Sequence, residues 1–184
     1  MYHRLHFYLL IALLLLSAIA PGSAQEWTRF RGPNGTGESE VTSIPGSWTS
    51  KDYNWQIKLP GVGHSSPVLW GDRLFLMSGD PASATRFLLC YDSSTGRQLW
   101  EQKFESSTYK LHAQSSYGSS TPAVDAELVY FAWAEPKSTI LIALTHDGNV
   151  VWKKDLGTWS SQHGFGTSPI IVDDLVIVSN SQEL

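Results

Sequence analysis

The chain has 184 residues, with 13 Lys and Arg against 17 Asp and Glu, a formal net charge of −4. A mildly acidic surface of this kind carries no electrostatic footprint for nucleic acid or anionic lipid. The single cysteine, Cys90, excludes an intrachain disulfide framework.

Residues 1–24 read as a secretory signal peptide. Arg4 supplies a positive n-region, Phe7–Ala20 is an apolar h-region, and Gly22 and Ala24 set small residues ahead of cleavage before Gln25. The apolar run is shorter than the roughly 20 residues that span a bilayer, so no transmembrane span is expected after cleavage. No cysteine follows the h-region to take a lipid. The expected location is extracytoplasmic, periplasmic or secreted.

Residues 25–51 are dense in Gly and charge and carry two turn signals, Gly32-Pro33 and Asn34-Gly35. They predict an extended N-terminal arm with tight turns. Beyond it, short apolar runs alternate with Gly, Asp, Ser, Thr and Pro: VLW (68–70), LFLM (74–77), FLLCY (87–91), LVYFAW (128–133), ILIAL (140–144), PIIV (169–172) and LVIVS (175–179). They are β-branched or aromatic, short, and free of helical periodicity, so the class is all-β. Several are apolar at consecutive positions, which predicts strands covered on both faces. Cys90 falls inside one such run and reads as a buried small hydrophobe.

The runs repeat. Trp55, Trp100 and Trp152 recur at intervals of roughly 45–55 residues, in step with GHSSP (63–67), GSSTP (118–122) and GTSP (166–169). Asp72, Glu127 and Asp174 follow at equivalent hairpin turns, where carboxylates are solvated turn residues. Four antiparallel strands per repeat match a propeller blade. The expected organisation over 52–184 is an incomplete β-propeller: a leading strand at Trp55, a blade over 63–104, a second over 117–156 and a half blade over 165–184. An outer-strand Trp would fill the space between adjacent sheets, and Gly96 and Gly148 would allow the turns before Trp100 and Trp152.

CYDSSTGRQLW (90–100) resembles the repeat of pyrroloquinoline-quinone-type (PQQ-like) β-propellers in Cys90, Asp92, Thr95, Gly96 and Trp100. The second copy, ALTHDGNVVW, keeps Ala143, Gly148 and Trp152 but places Asp147 where Thr95 stands and has no counterpart of Asp92. WTRFRGPNGTG, followed by WQIKLPGVGHSSPVLWGDRLF, is similar to the opening of secreted bacterial members of that family. Propellers have four to eight blades. The resemblance therefore implies an N-terminal fragment of a longer ring, or a chain that needs a second one to close it.

Candidate ligand-lining residues lie in the segments that lead into the inner strands: His64, His112, Gln114, Tyr117, Gln162, His163 and Phe165. The three histidines stand three, ten and six residues ahead of their Pro anchors, which is not a metal-ligand spacing. No catalytic motif is present: there is no G-x-S-x-G elbow and no phosphate-cradling glycine loop. Ser and Thr before each Pro read as hydroxyls that satisfy backbone groups.

Two functions follow from the resemblance. One is a non-catalytic binding or assembly scaffold, like the outer-membrane assembly propellers, with a protein or small extracytoplasmic ligand as partner. The other is a quinoprotein dehydrogenase holding pyrroloquinoline quinone over calcium, which implies adjacent cysteines, acidic calcium ligands and a catalytic Asp. Cys90 stands alone and within the blade motif, so the scaffold is the preferred expectation and no cofactor is assigned.

Overall fold

In the computed structural model, which describes residues 26–181, every regular element is a β-strand. The signal-peptide segment lies outside the described residues. Strands β1 (Val68–Trp70), β2 (Arg73–Gly79), β3 (Arg86–Asp92) and β4 (Gln98–Phe104) form an antiparallel sheet in chain order. Strands β5 (Ala123–Val124), β6 (Leu128–Glu135), β7 (Ser138–Thr145) and β8 (Val150–Asp155) repeat it. Strands β9 (Ile170–Val172) and β10 (Leu175–Ile177) make a further hairpin. The short strands β1, β5 and β9 lie side by side, as the inner strands of successive propeller blades.

Unbroken apolar runs follow from this stacking. Phe75, Met77, Leu88 and Cys90 of the first sheet meet Val129, Phe131, Trp133, Ile140 and Ile142 of the second in one buried cluster. The alternate residues Leu76, Leu89 and Tyr91 point to the other face of the first sheet and pack under Ile57 and Leu59. With two apolar faces per sheet, the period-2 alternation of a half-buried strand disappears.

The outer strands fix the seam. Trp100 in β4 does not pack on its own turn. Its indole lies on Gly148, the corner between β7 and β8, where an added Cβ would come within 2.8 Å of the ring. Its Nε1 donates to the His146 carbonyl at 2.8 Å. Trp55 repeats this one blade earlier: its ring covers Gly96, and its Nε1 donates to the Ser93 carbonyl at 3.0 Å. The corner glycine, which has φ of 71° at Gly96 and 86° at Gly148, therefore serves both the turn and the preceding tryptophan. A β-bulge sits at the same place in both blades, between Cys90 and Tyr91 and between Ala143 and Leu144, beside the pairs Cys90–Trp100 and Ala143–Trp152. It leaves Leu99 and Val151 unmatched and re-aims the outer strand.

The leading segment around Trp55 differs from the expected strand. It carries no strand assignment and pairs with no strand among the described residues. Side-chain burial of Trp55, Ile57 and Leu59 against the first blade holds it instead. The N-terminal arm is also more engaged than an extended tail. Trp27 exchanges backbone hydrogen bonds with Leu69 of β1, and the Thr28 carbonyl accepts from Val124 N in β5, so the arm crosses two inner strands.

The corner turns use different chemistry. Asp92 Oδ1 accepts from the backbone and hydroxyl of both Ser94 and Thr95, at 2.7–3.1 Å. In the shorter second corner Thr145 takes that place, its N–H donating to Asn149 O as Asp92 N–H donates to Arg97 O.

Two predictions follow from the corners. Gly71 and Gly148 both have positive φ, but an added Cβ meets nothing within 4 Å at Gly71. Gly71→Ala is expected to cost about 1–2 kcal/mol from backbone strain alone. Gly148→Ala should lose about 1–3 kcal/mol more from overpacking against Trp100, read by denaturant unfolding. The hydroxyls of Ser94 and Thr95, with their N–H groups, hold the Asp92 carboxyl down to about 2. This depressed value stabilises the fold above the ordinary carboxylate range of about 4 and is lost as pH falls toward about 2. Asp92→Asn should flatten that part of the acid-unfolding profile, measured by titrating the melting temperature.

Candidate functional site

The segments that lead into the inner strands are tied blade to blade. The residue before each Pro anchor forms a chain of latches. Ser66 N donates to Thr121 Oγ1 at 3.0 Å, and Thr121 N donates to Ser168 Oγ at 3.0 Å. His64 N and Ser65 N both donate to Gly118 O at 2.9 Å. Gly118 permits this approach, since a Cβ there would sit 2.6 Å from Ser78 Cα. The hydroxyls of Thr121 and Ser168 satisfy backbone groups across the seam, while Ser65 Oγ accepts from Met77 N within its own blade.

An aromatic ladder then joins the second and third lead-in segments. Tyr117 is buried, its hydroxyl donating to Tyr109 O at 2.7 Å and accepting from Tyr109 N at 3.1 Å. The Tyr109 ring lies 5.0 Å from Trp159, and Trp159 lies 6.2 Å from buried Phe165. Gly164, at φ 101°, presses against Ser115, where a Cβ would come within 2.5 Å of Oγ. These contacts bring His112 and His163 together with ring centroids 5.5 Å apart.

His64, His112, Gln114, Ser115, Ser119 and His163 line one open pocket of about 630 Å³. A second cavity of about 520 Å³ adjoins it, sharing His112 and His163 and adding Lys110 and Gln162. Gln114 N–H donates to His112 Nδ1 at 3.2 Å, and His64 Nδ1 lies 3.3 Å from Ser119 Oγ. Of the residues singled out in the sequence, His64, His112, Gln114, Gln162 and His163 thus stand at the two cavities. Tyr117 and Phe165 lie beneath them as the ladder that positions the loops. A separate apolar cavity of about 440 Å³ lies between Trp55, Ile57 and the outer face of the first blade.

Sequence reasoning passed over Arg86, Tyr109, Trp159 and His146. Arg86 is fully buried between the blades, donating to Ala84 O and, at 2.8 Å, to Ala134 O, with its guanidinium 4.8 Å from the Tyr117 ring centroid. Its Nε has no hydrogen-bond partner, and burial lowers its pKa. Its one sequence signal is a charge that opens an apolar run. Tyr109 and Trp159 were visible as aromatics in otherwise polar segments. His146 packs 5.5 Å from Phe75, and its Nε2 lies 2.9 Å from Asp125 O. Beside it, Arg73 binds the Asp147 carboxylate at 2.8 Å across the seam.

The described residues do not fit a quinone held over calcium. Cys90 is buried in the inter-blade cluster, where burial pushes its thiol up to about 12. Asp72, Glu127 and Asp174 are exposed at the hairpin turns and line neither histidine cavity. No group of three or more His, Cys, Asp or Glu among the described residues is arranged to hold a metal ion.

Stacked four-stranded antiparallel sheets with side-by-side inner strands define a β-propeller. The chain belongs to the PQQ_2 family, described as outer membrane protein assembly factor BamB, whose family profile matches residues 38–184. Among solved structures it is similar to BamB from Moraxella catarrhalis, at 21% identity and a TM-score of 0.46, covering 67% of this chain and 36% of that one. The chain thus spans about a third of the length of that protein. No curated protein matches it.

The environment of Cys90 yields a direct test. Native protein should resist a thiol-specific maleimide and become labelled only in denaturant, as read by intact mass. Fast labelling of the folded protein would contradict the buried placement.

Proposed function

We propose that the protein is an extracytoplasmic, non-catalytic scaffold that holds a partner protein at the end of the propeller where the lead-in segments converge. The observation that supports this reading is the open histidine pocket. Three successive blades contribute to it through loops fixed by inter-blade latches. It is a wide, solvent-facing surface lined by His, Gln and Ser side chains, suited to contact and not to excluding water from a reaction. Membership of the BamB family points the same way. The leader over residues 1–24 would direct the chain out of the cytoplasm, with the mature protein starting at Gln25. No helix among the described residues is long and apolar enough to cross a membrane.

The test is site-specific photo-crosslinking in the source cells. A crosslinker at Gln114, in the pocket, should give an adduct with another polypeptide, whereas one at Asp72, on an outer turn, should not. N-terminal sequencing of the same material should begin at Gln25. Equal crosslinking from both positions, or from neither, would sink the scaffold reading. So would calcium- and quinone-dependent dye reduction by the purified protein.

A further inference from the structure

We infer that the histidine pocket takes a carboxylate-bearing ligand, an acidic peptide segment laid across the His112–His163 pair; this rests on the scaffold reading and names the chemistry of its partner.

The first ground is the set of donors. His112 Nδ1 accepts from the Gln114 backbone N–H, so the neutral ring carries its proton on Nε2 and presents a donor. This tautomer is the wrong one for coordinating a metal through Nε2, and the right one for a carboxylate oxygen. His64, His163 and the Gln114 amide add N–H groups to the same walls, and Lys110 stands at the adjoining cavity.

The second ground is charge. Neither cavity is lined by Asp or Glu among the described residues, although the chain as a whole is acidic. Lys110 is the one cation that lines either cavity among the described residues. A cation beside a wall of N–H groups, with no carboxylate among the lining residues, favours an anion there.

The third ground is shape. The two cavities, about 630 and 520 Å³, share His112 and His163 in their walls, so the pair stands where the two adjoin. An elongated ligand contacts both halves, whereas a small anion would occupy only one. The ladder of Tyr117, Tyr109, Trp159 and Phe165 holds the two loops in place beforehand, which lowers the ordering cost of binding.

The experiment uses the full-length protein and a fluorescein-labelled hexaglutamate peptide, read by polarisation. Hexalysine, inorganic phosphate and zinc serve as the comparison probes. Hexaglutamate should bind and hexalysine should not. The double variant His112→Ala, His163→Ala, which removes both ring donors, should weaken binding about tenfold or more, as loss of two charge-assisted contacts requires. Lys153→Ala, on the exposed part of β8, should leave binding unchanged. Both histidines are exposed, and unchanged melting temperatures would show that the variants fold. Equal affinity of the double variant and wild type overturns the assignment. So does displacement of the peptide by phosphate at equal concentration, or binding of zinc alone. If the Gln114 crosslink in cells survives the double variant, the acidic-peptide chemistry fails while the scaffold reading stands.

Discussion

The structure depends on one contact: the indole of one blade lying on the corner glycine of the next. A sheet with two apolar faces is stable only with a neighbour on each side, and the neighbour must be held in register. Trp100 does this by burying a large ring, of the order of 150–250 Å², on Gly148 while anchoring its N–H to the His146 carbonyl. The glycine has no side chain to hold the ring away, and the carbonyl two residues before it is aimed at the indole. Geometry and hydrogen bond therefore select the same register. Gln102 adds a bond to Gly148 O at 3.0 Å, and Arg73 reaches the same corner through Asp147.

The seam then determines what lies at its ends. At one end the arm crosses β1 and β5 through Trp27 and Thr28. At the other, close backbone approach at Gly63, Gly79 and Gly118 brings the lead-in segments of adjacent blades together. Arg86 crosses the interior between them. Burying a guanidinium is costly unless its donors are met, and two carbonyls and an aromatic face meet most of that demand. Its unpartnered Nε is the remaining cost. The cation thus ties the two blades together, through Ala84 O on one side and Ala134 O and the Tyr117 ring on the other.

Much of this was legible in the sequence. Each apolar run from VLW to LVIVS marks a strand, because β-branched and aromatic runs bounded by turn residues have few alternatives. The corner glycines were legible as turn positions and the tryptophans as fillers between sheets, but not which Trp covers which Gly: Gly96 precedes Trp100 in the chain, while in space Trp55 covers it. Sequence spacing reports what recurs, not which copy a residue touches. The bulges at Cys90 and Ala143 were hidden, since an unmatched Leu or Val looks like any other strand residue. At the pocket, the histidines were found from their place ahead of the inner strands. That Tyr117 and Phe165 turn inward was not legible, because their burial depends on Tyr109 and Trp159 from two different loops.

The contrast between latch and pocket explains why the repeat names the fold more readily than the function. Ser66, Thr121 and Ser168 occupy the same position in each repeat because each must present a hydroxyl, an N–H or both to a neighbour at a fixed distance. Repetition there is a geometric requirement. The histidines obey no such rule: His64, His112 and His163 stand at three different distances from their Pro anchors, yet line the same pocket. Loops of different length must reach a common point from different blades, so equal spacing would separate those side chains. The end of the propeller where the lead-in segments meet is therefore built from departures from the repeat, and His112 and His163 are residues that no repeat position demands.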